Sequence, residues 1–314
     1  NGNLGGGGFL TARTSEGEII SLDFREKAPA DSFEEMFLDD QKKYDKNKAW
    51  FSHSSTGVPG TVNGLITIFN DYGSGKFTLQ EIIRPALDLA ENGFPLEEGA
   101  AEGFDANKKY FVQDEGSTAL FVKNIDNQVS DLLDSLNNGE INQVEFENML
   151  ENIDEWSAGD IFIQKDLAET LKRISSNGMD GFYGGETARL IVKEMNQNAG
   201  LITLNDLQEY HSVYREPVIG TYNNHTIVSM GPPSSGGILL VQMLNMLENF
   251  DIKNIERNSA NFVHIMTEVQ RLAYADRSIH LGDPDFWDNP IDMLTSKEYA
   301  NSRLKLISLE NATP

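Results

Sequence analysis

The stretch from Ile19 to Pro29 constrains this chain more than any other. Ile20, Leu22 and Phe24 fall on one face of a strand, and Ser21, Asp23 and Arg25 fall on the other. The apolar face needs a core. The chain continues Glu26-Lys27-Ala28-Pro29, where proline ends the ladder because it has no N–H to donate. Arg25 therefore sits at a strand end beside carboxylates. Two roles fit that position. Its planar fork can hold a carboxylate through two parallel hydrogen bonds. Alternatively, it pairs with Asp23 or Glu26 at a sheet margin and does nothing more.

Upstream, Phe9-Leu10-Thr11-Ala12-Arg13-Thr14 reads as a second strand, and Ser15-Glu16-Gly17-Glu18 as the turn that makes a hairpin. Gly5 to Gly8 precede it and allow another backbone to approach closely. They are not a phosphate loop, since no Gly-Lys-Ser/Thr follows, and Gly73-Ser74-Gly75-Lys76 fails the same test.

Residues 31–56 read as irregular surface loop, and residues 100–160 as the least regular part. Gly57-Val58-Pro59-Gly60-Thr61 turns into a helix running toward Tyr72. Thr78 and Glu81 form a capping box for a helix that Pro85 should kink. Residues 124–153 suggest an inserted acidic helical hairpin. Within it, Asp134 to Glu145 partly matches a calcium loop, but Leu136 occupies a ligand position and cannot ligate. Helices are expected from Gln164 to Ile174, Glu186 to Asn196, Ile238 to Leu247 and about Ser259 to His280, with a short one after Thr203 and a last one from near Ser296. Two strands are expected around Asn223-Asn224-His225. The turn Gly231-Pro232-Pro233-Ser234-Ser235-Gly236-Gly237 can hold an anion on free helix amides, or its serines can cap the helix. With no repeat and no linker, residues 1–314 are expected to form one domain.

Charge and composition narrow the chemistry. The chain has 25 Lys and Arg against 49 Asp and Glu, a net charge of −24. Such a surface repels nucleic acid and anionic lipid, so neither is an expected partner. A site for an anionic substrate needs local positive charge, which Arg25 can supply. There is no cysteine, which removes disulfides, thiolate nucleophiles and Cys-ligated zinc. None of His53, His211, His225, His264 and His280 stands at a zinc spacing, so no metal is expected. No G-x-S-x-G elbow and no run long enough to span a membrane are present. The start of the chain, without methionine or signal peptide, reads as that of a fragment or a processed subunit.

Taken together, the motifs resemble the large subunit of γ-glutamyltranspeptidase over nearly the whole chain. The resemblance rests on Gly5-Gly6-Gly7-Gly8-Phe9, Asp23-Phe24-Arg25-Glu26-Lys27-Ala28-Pro29, Gly57-Val58-Pro59-Gly60-Thr61-Val62, Tyr72-Gly73 and Arg84-Pro85-Ala86. It continues through Asp166-Leu167-Ala168, Gly178 with Phe182-Tyr183, Gly200-Leu201-Ile202-Thr203 and Asp206-Leu207. It closes on Pro232-Pro233-Ser234-Ser235-Gly236-Gly237, Ala273-Tyr274-Ala275-Asp276-Arg277 and Leu281-Gly282-Asp283-Pro284.

The resemblance implies an α+β fold, the N-terminal nucleophile hydrolase plan, a four-layer αββα sandwich completed by a separate small subunit. It implies a precursor, or zymogen, that cuts itself into a heterodimer, with an N-terminal threonine of the small subunit as nucleophile and that threonine's own amine as base. By resemblance Pro314 lies shortly before the cut, so no catalytic residue is expected in this chain, which alone should be inert. Arg25 is the implied substrate-binding residue, holding the α-carboxylate of the γ-glutamyl group. The implied partners are the small subunit, glutathione and other γ-glutamyl compounds, and amino-acid or peptide acceptors. No cofactor is implied. A periplasmic or secreted location follows from the family. The alternatives are a cephalosporin (glutaryl) acylase, a poly-γ-glutamate hydrolase, or a non-catalytic γ-glutamyl-binding homologue.

Overall fold

The computed structural model describes residues 3–123, 128–153 and 155–313. Where the sequence suggested one domain, the chain divides into two compact units, Asn1–Gly73 with Ala188–Pro314, and Ser74–Thr187. Each has its own buried apolar core.

In the first unit, Gly8–Arg13, Ile19–Phe24 and Val213–Tyr214 form an antiparallel sheet with Ile19–Phe24 in the middle. Gly8 pairs with Phe24 and Leu10 with Leu22; Asp23 pairs with Val213. The turn closes through Thr14 and Glu18, as the hairpin pattern requires. Both faces of the middle strand are covered. Leu22 is wholly buried, and so, nearly, are Ser21 and Asp23. Their polarity is answered locally: Ser21 Oγ lies 2.9 Å from Met230 Sδ, and Asp23 is held by an arginine described below. Phe24 packs on the helix Thr61–Tyr72, where Gly64 leaves room for its ring.

The second part of this unit is built on the helix Gly236–Leu247. It is apolar almost all round, so it is buried on most sides. The helices Ala260–His280 and Lys297–Leu304 share its core, where Leu239, Met246, Ile265, Val269, Leu272 and Ala300 meet. Its polar residues are buried too, and two of them are tied down. Gln242 donates to Asp276 Oδ2 (2.5 Å) and Asn245 donates to the Thr295 carbonyl (2.7 Å). Asp276 is also paired with Arg303 (3.0 Å). The hairpin Val218–Tyr222 with His225–Ser229 turns through Asn223 and Asn224, both at positive φ (45° and 64°). Paired positive-φ residues give a two-residue turn whose twist suits a hairpin.

Residues 31–56 are less irregular than expected. Asp45 accepts from the Asn47 and Lys48 N–H groups and so starts a short helix, Lys46–Phe51.

Glu268 carries the most perturbed buried carboxylate of this unit. It accepts from the Thr313 hydroxyl (2.7 Å) and N–H (3.0 Å) and pairs with Arg271 (2.9 Å). The two Thr313 hydrogen bonds, followed by Arg271, draw its pKa from 4.5 down to about 2 against the opposing effect of burial. A depressed carboxylate stabilises the fold fully above its unfolded pKa, and the contribution is lost as pH falls through the folded value. Glu268→Gln should therefore flatten the fall in stability between about pH 4.5 and pH 2 and lower stability at neutral pH. Urea unfolding across that range tests this. A variant whose acid dependence matches the wild type contradicts it.

The second unit is mostly helical. Thr78 and Glu81 form the expected capping box at the start of Leu79–Asn92, and Pro85 is accommodated inside that helix. The helix Lys165–Asn177 packs against it and ends at Gly178, which has positive φ (60°). Residues 100–160 are far more regular than their composition suggests, because short helices pool small apolar faces. Phe104, Phe111, Phe121, Trp156 and Phe162 stack into one aromatic cluster. Of the acidic insertion, residues 124–127 lie outside the described residues. The remainder forms Gln128–Asn137 and Gln143–Leu150, packed through Val129, Phe146 and Leu150. The partial calcium loop has a structural use: Leu136 and Ile141 pack on this core. Glu145 accepts from the Asn142 N–H (2.9 Å) in a second capping box.

Candidate functional site

Arg25 follows the last residue of the central strand, and its backbone is fixed on every side. Its N–H donates to Asp23 Oδ1 (3.0 Å). Its carbonyl accepts from the Tyr210 hydroxyl (2.8 Å). Two residues on, Lys27 and Val58 exchange backbone hydrogen bonds (3.2 and 2.7 Å). The glycine run presses against the same segment. A Cβ on Gly7 would lie 2.6 Å from both the Phe24 carbonyl and the Glu26 N–H nitrogen. The Gly6 carbonyl accepts from Gly60 (2.8 Å) and Thr61 (3.0 Å), anchoring the run to the start of the next helix. Backbone rigidity of this kind holds a side chain in position without using the side chain itself.

Arg25 is exposed and lines a cleft of about 450 Å³. Asp23, Lys27, Arg215, Pro232, Pro233, Ser234, Ser235, Arg277 and Asp285 also line this cleft. The sheet-margin role for Arg25 required Asp23 or Glu26 as a partner. Asp23 is occupied by Arg215 (Nε–Oδ2, 3.2 Å). Among the described residues no carboxylate pairs with Arg25. Arg215 also grips Asp285 through both terminal nitrogens (2.5 and 2.9 Å). Those bonds to Asp285 raise the Arg215 pKa, with Asp23 adding to them, and they hold the Asp285 carboxyl below its usual range. Arg215 is thus neutralised by two acids, while Arg25 keeps its charge for whatever enters.

The turn into the helix Gly236–Leu247 forms another part of the lining. Its two serines differ in use. Ser234 Oγ accepts from the Gly236 N–H (3.3 Å), a local helix-start contact. Ser235 makes no such bond and instead accepts from Arg277 Nε (3.0 Å). Lys27 lies over the Tyr210 ring, with Nζ 5.4 Å from its centroid. None of the five histidines lines the cleft. The arrangement suits the holding and orienting of a carboxylate, with Arg25, Arg277 and a helix start offering uncommitted donors inside a strongly acidic chain.

Of the residues singled out from sequence, the structure brings Arg25 together with the Pro232–Ser235 turn and with Asp283. Arg215 and Arg277 were not singled out as site residues. Arg277 stood only within the Ala273–Arg277 motif. Arg215-Glu216-Pro217 repeats the pattern around Arg25, an Arg-Glu pair after a strand with a proline close behind, and that repetition was the available signal.

The sequence profile described as "Gamma-glutamyltranspeptidase" matches residues 1–314. A protein of Escherichia coli (strain K12) named "Glutathione hydrolase proenzyme" is 40% identical over 314 residues, 100% of this chain and 49% of its own length. "Acylase ACY 1 proenzyme" of Pseudomonas sp. (strain SE83) is 30% identical over 313 residues, 98% of this chain and 51% of its own. The crystal structure of Helicobacter pylori gamma-glutamyltranspeptidase aligns with a TM-score of 0.86 at 38% identity, covering 99% of this chain and 81% of that one. This chain spans about half the length of the curated relatives it matches.

Proposed function

Because the chain belongs to the γ-glutamyltranspeptidase family and has the family's α+β fold, we propose that it is the large-subunit part of an enzyme that cleaves γ-glutamyl amides, glutathione among them. Arg25 holds the α-carboxylate of the γ-glutamyl group. A threonine at the start of the small subunit attacks the γ-carbonyl, the C–N bond breaks, and the amine leaves with a proton. Water or an amino-acid acceptor then takes the acyl group from the threonine ester. Backbone amides stabilise the tetrahedral oxyanion. The small subunit completes the four-layer sandwich.

The observation that carries this proposal is the guanidinium of Arg25. It sits at a rigid strand end, paired with no carboxylate among the described residues, in a cleft whose lining balances four bases with four acids in a chain of net charge −24. A free fork in such surroundings is a receptor for an incoming carboxylate.

The test is a denaturing intact-mass spectrum of the full-length protein after purification, with N-terminal sequencing of each chain and a glutathione turnover assay. The expected result is two chains, the smaller beginning with threonine, and release of glutamate. A second chain that begins with a residue lacking a nucleophile overturns the proposal in favour of a binding homologue.

The 30% identity to a protein named as an acylase favours one second function, hydrolysis of an acyl amide other than a γ-glutamyl one, for which a glutaryl amide is the probe. The glutaryl amide keeps a carboxylate where the γ-glutamyl group has its α-carboxylate, so Arg25 can hold it, and it lacks only the α-amine. Faster turnover of a glutaryl amide than of glutathione would show that the site does not select for that amine. A periplasmic or secreted location belongs to the same proposal. Among the described residues no helix is long and apolar enough to cross a membrane.

A further inference from the structure

The cleft holds a second guanidinium with no acid partner. Arg277 lies in the last turn of the helix Ala260–His280, with its side chain exposed. Its Nε donates to Ser235 Oγ (3.0 Å), which sets the plane of the fork in the lining of the cleft. Among the described residues no carboxylate pairs with its two terminal nitrogens. Of the four acids in the lining two are held by another base, and Glu26 pairs with no base among the described residues. Asp23 and Asp285 hold Arg215, and Asp283 Oδ1 accepts from the Asp285 N–H (3.0 Å).

Arg13 and Arg257 likewise pair with no carboxylate among the described residues, so what sets Arg25 and Arg277 apart is where they lie. These two face one cleft of about 450 Å³. Each offers the forked donor geometry that matches a carboxylate. A lone cation at a helix C-terminus has an ordinary use in offsetting the helix dipole. That use does not require a hydroxyl to orient the fork, nor a place in the lining of a cleft.

We infer that Arg277, oriented by Ser235, binds a second carboxylate on the same donor, so that the cleft selects γ-glutamyl peptides ending in a free carboxylate. This rests on the proposed function. It adds a substrate class to it: peptidic donors with two anionic ends, the γ-glutamyl end on Arg25 and the distal end on Arg277. Arg277 is a specificity-determining residue and takes no part in bond making.

The matched probes are glutathione and glutathione C-terminal amide, which differ only in the distal charge. With the processed two-chain enzyme, glutathione should be preferred in kcat/KM by about tenfold, the range of one charge-assisted contact. Arg277→Gln should bring that ratio close to one. Arg277→Lys should keep part of it, and Ser235→Ala should lower it by less than Arg277→Gln does. A wild type that treats the two donors alike overturns the inference. So does an Arg277→Gln enzyme, or an Arg277→Lys enzyme where the glutamine variant does not fold, that retains the full preference. Loss of thermal stability with the preference intact is the signature of a purely helix-capping role and also overturns it. A wild type that turns over neither donor removes the proposed function itself, a distinguishable result.

Discussion

Arg25→Ala in the processed enzyme is expected to lower kcat/KM for γ-glutamyl donors about 100-fold, carried mainly by KM. The magnitude follows from removing a two-bond, charge-assisted contact, about 3 kcal/mol at about 1.4 kcal/mol per tenfold. The fold should not suffer. The side chain is exposed and pairs with no carboxylate among the described residues, and the segment is held by backbone bonds that alanine keeps. Cleavage into subunits should proceed as well. Arg25→Lys should recover only part of the loss, since an ammonium keeps the charge and loses the fork. Steady-state kinetics with glutathione, beside a thermal melt of each variant, separate binding from folding. Donor kinetics unchanged in Arg25→Ala would remove Arg25 from the site.

Gly60→Ala should be the most damaging small change to the fold around that site. A Cβ there would lie 2.0 Å from the Phe24 carbonyl oxygen and 2.1 Å from the Tyr210 hydroxyl. Both positions are fixed: Phe24 closes the central strand, and the Tyr210 hydroxyl binds the Arg25 carbonyl. Gly60 cannot retreat freely, because its N–H donates to Gly6 (2.8 Å). Overpacking against backbone costs about 3 kcal/mol or more, at the upper end of ordinary substitutions. Urea unfolding should show that loss, and any folded remainder should bind donors poorly because the strand end carrying Arg25 has shifted. Gly99→Ala is the control. Its Cβ meets nothing within 4 Å, and it lies in the helix Glu98–Ala106, so it should be neutral or slightly stabilising. Equal stability of Gly60→Ala and wild type would mean that this junction is looser than its geometry shows.

Sequence patterns alone located most of the elements of the first unit. The alternation at Ile20–Phe24, the paired asparagines at 223–224 and the serine before Ala260 each specify a local structure through short-range sterics or a local hydrogen bond. Two-residue strands such as Val213–Tyr214 carry no period to detect. The short helices between residues 98 and 121 were missed for a related reason. Each has too small an apolar face to stand out, and only the aromatic cluster they share holds them in place.

The sequence by itself determined the family, the position of Arg25 at a strand end, and the need for local positive charge in a chain of net charge −24. It could not decide whether Arg25 was free. That depended on which base took Asp23, and the base is Arg215, 192 residues further along the chain. Tertiary structure alone brings that arginine to the strand, engages the Asp23 carboxylate, and turns Arg277 into the same cleft through Ser235. Local propensities act over a few residues, whereas the charge of a site is set by which groups packing brings within hydrogen-bond distance.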